Sequence, residues 1–157
     1  MLANQGSTED LRAAQWVFSV DVRLTDTIRD ARTAVYGLTA SELGREDPFY
    51  YQSFLKPVTK VTQAEYPFLS LGVFATHSGG RVLVSGHSIV KEINDALRDA
   101  GSYYELIYRA PAADGPNEYH EVSLRVNQPG ATVQALSGYY ADPQNVEPEP
   151  KPKKDRR

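Results

Sequence analysis

Hydrophobic and polar residues recur along this chain with two different periods, and the change of period divides it. In residues 8–32, Ala13, Val17, Val20, Leu24, Ile28 and Ala31 step by 4, 3, 4, 4 and 3, a spacing that gathers side chains on one face of an α-helix. The stretch WVFSVDVRL also alternates, with Trp16, Phe18, Val20, Val22 and Leu24 set against Ser19, Asp21 and Arg23, which is the period of a half-buried strand. The helical pattern continues through TDTIRDA with no turn signal at position 24. It accounts for more residues, so it predicts one long helix.

TAVYGLT, residues 33–39, is a short run of strand formers, as in a buried parallel strand. A long irregular stretch broken by Pro48 and Pro57 follows. Pro67 then suits the first turn of a helix with Phe68, Leu71, Gly72 and Ala75 on one face, ended by Gly79 as a left-handed cap. RVLVS forms the next strand, and Ser88 caps a helix striped by Ile89, Ile93, Ala96, Leu97 and Ala100 and ended by Gly101. On this helix Glu92, Asp95 and Asp99 are expected on the exposed side. The order helix, strand, helix, strand, helix implies a parallel sheet flanked by helices.

After Gly101 the period becomes two. YYELIYR, YHEVSLRV and ATVQALSGYY alternate and are separated by the turn sequences ADGPN and NQPG, which predicts a three-stranded antiparallel meander with Val122, Leu124 and Val126 on one face. Residues 1–7 are small and polar and are expected to be disordered; 8–141 form the domain; 142–157, rich in proline and charge, form an extended tail.

Composition narrows the function. The chain has 157 residues, 41% hydrophobic and 24% charged, enough for one ordinary domain with its own core. A net charge of -3, with no basic field before the tail, argues against nucleic acid as a partner. There is no cysteine, which removes thiol chemistry and thiolate metal sites. MLANQGSTEDLR lacks the pattern of a signal peptide, and no apolar run is long enough to span a bilayer, so membrane insertion is not expected.

The sharpest enzymatic candidate is GHSIV at 86–90, placed between a strand and a helix like the nucleophile elbow of an esterase. Gly86 fits, but Val90 stands where the second glycine belongs, and capping the helix is the simpler role for Ser88. His77 and His87 flank a strand whose four or so residues rise roughly 3.3 Å each, too far apart to share an ion. His120 stands alone on another strand. Glu42, Glu46 and Asp47 are scattered in the long loop, and the glycines of HSGGRV precede a strand rather than a helix, so neither a carboxylate pair nor a phosphate cradle follows. No catalytic residue, metal ligand or cofactor is therefore expected. The unusual feature is ten tyrosines, paired at 50–51, 103–104 and 139–140. On a strand each pair directs one ring to the core and one outward. Phe49, Tyr50, Tyr51, Tyr104, Tyr139 and Tyr140 are the candidate contacts of a binding surface, against the plainer reading of cross-strand packing.

LTDTIRDARTAVYGL, DPFYYQSFLK, LGVFATHSGGRVL, IVKEINDALRDA and above all YYELIYRAPAADGPNEYHEVSLRVNQPGATVQALSGYYA resemble the C-terminal half of the VWFA-related domains of acidobacteria, over roughly residues 9–141. The resemblance implies a von Willebrand A-like, Rossmann-type α/β fold, a protein-binding role rather than catalysis, and an extracytoplasmic location. The family's DxSxS metal motif does not occur in this sequence, so no adhesion-type metal site is expected. Without the family's earlier strands a sheet edge is left open, and a homodimer through that edge is one expected remedy.

Overall fold

The computed structural model describes residues 5–40, 49–85 and 88–143. Glu42, Glu46 and Asp47, Gly86 and His87, and the tail beyond Pro143 lie outside the described residues. The first element is a long helix, α1 (Gln5–Asp30), which starts inside the segment expected to be disordered. Its end is a left-handed cap: Arg32 has φ 50°, and the Thr33 amide donates to the Ile28 carbonyl at 3.1 Å, a bond that takes up one of the helix's orphan carbonyls.

The helical reading of WVFSVDVRL is the one the fold adopts, but the buried face differs from the predicted stripe. Val17, Asp21, Val22 and Thr25 are buried, whereas Leu24 is exposed. Two polar residues thus occupy the inner face. The helix is turned this way because Asp21 has a buried partner, Tyr140, from the far end of the chain.

β1 (Gly37–Ala40) pairs in parallel with β2 (Val82–Ser85), in register from Gly37 opposite Val82 to Ala40 opposite Ser85. Between them run short 3₁₀ turns at Tyr50–Phe54, Val61–Gln63 and Tyr66–Leu69 and then α2 (Leu71–His77). The single helix expected from Pro67 is split, because Ser70 is extended (φ -74°, ψ 147°) between the last 3₁₀ turn and α2. Gly79 closes α2 with φ 84°, the left-handed conformation glycine adopts without a Cβ clash. Ser78 ties this corner to the approach to β1, accepting from the Val35 amide at 2.8 Å.

α3 (Ile89–Ala100) begins at Ser88, whose Oγ accepts from the Lys91 amide at 3.3 Å. Its orientation reverses the prediction. Glu92, Asp95, Ala96 and Asp99 are the half-buried residues, while Ile89, Val90, Ile93 and Leu97 are between 48% and 68% exposed. The carboxylates expected on the outside are therefore turned toward the body, where Asp99 pairs with Arg81 at 2.8 Å. α3 meets the parallel sheet at β2, whereas α2 packs on both strands.

The predicted three-stranded meander is a two-stranded one. β3 (Glu118–Glu121) pairs antiparallel with β4 (Gly138–Ala141), and residues 103–113 have no regular element. Alternation in YYELIYR specifies which side chains share a face but supplies no partner edge. The expected face of Val122, Leu124 and Val126 is also lost. One further bond, Val122 amide to Ser137 carbonyl at 2.8 Å, extends the ladder. There the strands part, because the Ser137 amide donates instead to the His77 carbonyl at the end of α2 (2.9 Å), and Leu124 and Val126 are left exposed. The architecture is a mixed α/β one, with a small parallel sheet packed against α2 and a small antiparallel sheet packed against α1, tied together where the Ser137 amide meets the His77 carbonyl.

Candidate functional site

The tyrosine pairs divide unevenly between core and surface. Tyr139 and Tyr140 are 7% and 5% exposed, so both lie inside and neither belongs to an outer contact surface. β4 is covered on both faces, which is why the one-in, one-out rule does not hold there. Tyr140 stacks edge-on to Phe18 of α1 (5.9 Å between centroids) and to its cross-strand partner Tyr119 (5.2 Å). Tyr139 lies against His120, its own cross-strand partner, at 5.3 Å, and the Arg29 guanidinium sits over its ring at 5.7 Å. Gly138 makes room for the pair, since a Cβ there would strike the Tyr119 hydroxyl and the His120 carbonyl.

Beneath these rings is a buried polar network. Tyr140 Oη stands 2.8 Å from Asp21 Oδ2 and 2.8 Å from the Val58 carbonyl oxygen. Burial raises the Asp21 carboxyl above the ordinary carboxylate range, outweighing the opposing effects of the Tyr140 hydrogen bond and of nearby His77. Burial likewise pushes the Tyr140 phenol far up, helped by the negative charge of Asp21. The Tyr139 phenol is pushed up to about 12 by burial and by Tyr108. The two phenols, shifted upward in this way, stay protonated and serve as structural hydrogen-bonding groups rather than nucleophiles.

The other tyrosine pairs do reach the surface. Tyr50 is exposed and stacks on Phe54 at 5.1 Å, and Phe54 stacks on Phe68 at 5.3 Å. Tyr51 turns inward over Gly72, where any Cβ would collide with its ring. Phe49 is exposed. Tyr103 and Tyr104 are 86% and 96% exposed and begin a stretch in which Leu106, Ile107 and Tyr108 are exposed as well. Of the candidate contacts, Phe49, Tyr50 and Tyr104 are thus outward, Tyr51 half-buried, and Tyr139 and Tyr140 internal.

One aromatic surface is absent from the sequence reading. Trp16 of α1 and Tyr66 are exposed with rings 6.0 Å apart. Beside them a shallow groove of about 310 Å³ lies between α1 and the 61–67 turn, floored by Ala13, Val17 and Ala64 and flanked by Asp10 and Glu65. Its only sequence signal was Trp16 standing off the helical stripe.

The histidines and Ser88 occupy ordinary places. His77 bonds through Nε2 to the Leu55 carbonyl at 3.0 Å. His120 Nδ1 meets Tyr139 Oη at 3.3 Å; its Nε2 is 3.3 Å from Glu118 Oε1 but outside hydrogen-bond geometry. Ser88 Oγ is engaged with its own helix. Among the described residues no three histidine or acidic side chains gather as a metal site, and no helix is long and apolar enough to cross a membrane. No family model, curated protein or solved structure matches this chain.

Proposed function

We propose that this chain is a non-catalytic protein-interaction module of von Willebrand A-like, Rossmann-type build that works outside the cytoplasm without a metal ion. The observation that carries the binding role is the outward apolar face of α3, continued by Tyr103, Tyr104, Leu106 and Ile107. Large exposed apolar patches mark interaction sites. The parallel β1–β2 pair with α2 in its crossover accords with the doubly wound expectation, and the extracytoplasmic placement rests on the sequence resemblance alone. An esterase reading has no comparable support, because the Ser88 hydroxyl is turned onto the Lys91 amide.

The test is a photo-crosslinking residue in place of Tyr104, used in the producing cell. A discrete protein adduct that disappears on Ile107→Asp is the expected result. Irradiation that yields no protein adduct would remove the binding role, and hydrolysis of a short p-nitrophenyl ester lost on Ser88→Ala would replace it with catalysis.

A further inference from the structure

We infer that the groove beside Trp16 and Tyr66 is the docking site of this chain's own basic, proline-rich end, residues 148–157. No residue of α3 lines it. One wall is the face of α1 that carries Ala13, Ala14 and Val17, and Asp10 precedes these by three, four and seven positions, which sets it on the same face. The other wall is the segment from Ala64 to Pro67. Trp16 extends the aromatic rim, its ring 6.0 Å from that of Tyr66. The rim is acidic as well: Asp10 and Glu65 flank the groove, and among the described residues neither makes an ion pair. Glu9 stands four positions before Ala13, on the Trp16 side. Arg12 falls roughly 150° round the helix from the middle of that face, and Lys60 precedes the opposite wall without lining the groove.

An occupant of this groove needs apolar bulk for the rings and positive charge for the rim, and the end of the chain, PEPKPKKDRR, supplies both. Proline-rich segments dock in aromatic-lined grooves as polyproline II, which costs little ordering entropy and has three residues per turn. With that period Pro148, Lys151, Lys154 and Arg157 share one edge, and Pro150, Lys153 and Arg156 share the next. Glu149, Pro152 and Asp155 fall on the third. A groove that takes two of the three edges therefore meets every base of the segment, with both acids turned outward. The tether is long enough. Tyr140 bonds to Asp21 of α1, and from Asp21 back to Asp10 the helix rises about 16 Å. Residues 143–150 cover about 25 Å as polyproline II, so Lys151 arrives at Asp10 with length to spare for the step across the helix. A tether of this kind holds the segment at an effective concentration on the order of 1 mM, so even a weak site is filled by its own chain.

The experiment is acrylamide quenching of Trp16 in the full chain, where it is the only tryptophan. With a dissociation constant close to the effective concentration, about half of the chains are docked, and their release raises the quenching constant about twofold. That rise is expected when Lys151→Glu, Lys153→Glu and Lys154→Glu are combined, and equally when Asp10→Lys is combined with Glu65→Lys, in both cases with unchanged circular dichroism. All five substitutions together restore opposite signs and are expected to return the parent value. Sodium chloride at about 1 M, where the Debye length is near 3 Å, should release the segment in the parent itself. Equal quenching in the parent and both charge-reversed chains overturns the inference. A rise in the tail variant that the groove variant does not share places the tail elsewhere and overturns it too. Shielding of Trp16 that grows with protein concentration puts another copy's tail in the groove, and the docking within one chain is then excluded.

Discussion

Tyr140→Phe keeps a ring between Phe18 and Tyr119 and removes one oxygen, which makes it a sharp probe of the buried network. That oxygen lies 2.8 Å from each of two acceptors, Asp21 Oδ2 and the Val58 carbonyl. A phenol has one proton to donate. The hydroxyl therefore donates to both as a shared, three-centre bond, while burial raises the affinity of Asp21 for a proton. Without the hydroxyl, two buried polar groups lose their partner, at a cost of about 1–3 kcal/mol. For a chain of this size that lowers the melting temperature by roughly 3–10 °C. The pH dependence has a definite sign. Because burial sets the Asp21 pKa above its unfolded value, the folded state binds the extra proton. Its contribution is complete below the ordinary carboxylate range and is lost as pH rises through the lifted value. In Asp21→Asn the amide can donate to Tyr140 at every pH, so that variant should melt at or above the parent at pH 8 and show a flatter stability profile. Scanning calorimetry of the three proteins between pH 4 and 8 checks this. A Tyr140→Phe protein melting within about 1 °C of the parent at pH 5 would refute the network, since that shift corresponds to well under 1 kcal/mol.

Gly138→Ala forces a Cβ against the Tyr119 hydroxyl and the His120 carbonyl, and overpacking of this kind costs about 1–3 kcal/mol; urea unfolding should show the lower midpoint, together with lost near-ultraviolet tyrosine signal. Ser88→Ala removes the α3 cap and should reduce stability by about 1 kcal/mol while leaving ester hydrolysis at the buffer rate. Calorimetric titration with Mg²⁺ or Mn²⁺ should give no stoichiometric heat, and a tight one-to-one isotherm would contradict the metal-free reading. Arg29→Met, which removes both the donor to the Tyr140 carbonyl and the cation over the Tyr139 ring, should destabilise the protein less than Tyr140→Phe, because Arg29 is partly open to solvent.

What the sequence disclosed follows from what local pattern encodes. The Ser88 cap, the left-handed Gly79, the RVLV strand and the long first helix are all determined within a few residues, and each was legible. The orientation of helices was not. Asp21 and Thr25 face inward on α1 because of a tyrosine 119 positions from Asp21, a pairing that no periodicity announces. α3 is the reverse case: its stripe is as clear as any in the chain, yet it faces outward, since periodicity states which residues share a face and not what the face meets. The same gap explains residues 103–109, whose alternation is real but whose strand partner is not among the pairings formed. Of the candidate contacts, Tyr139 and Tyr140 were misread because β4 is covered on both sides, and the Trp16–Tyr66 groove escaped notice because its two halves are distant in sequence.

The clasp between α1 and β4 also governs when the protein can finish folding. Val17 and Phe18 can pack against Val58, Ala64 and Phe68 as soon as those residues have been made, but Arg29 and Asp21 wait for Tyr139 and Tyr140, far along the chain. At about 5–20 residues per second, that is a delay of several seconds during which Asp21 lies without its phenol partner. Nascent chains halted before residue 138 should therefore hold α1 loosely, and its amides should become protected from exchange only once the last strand has emerged.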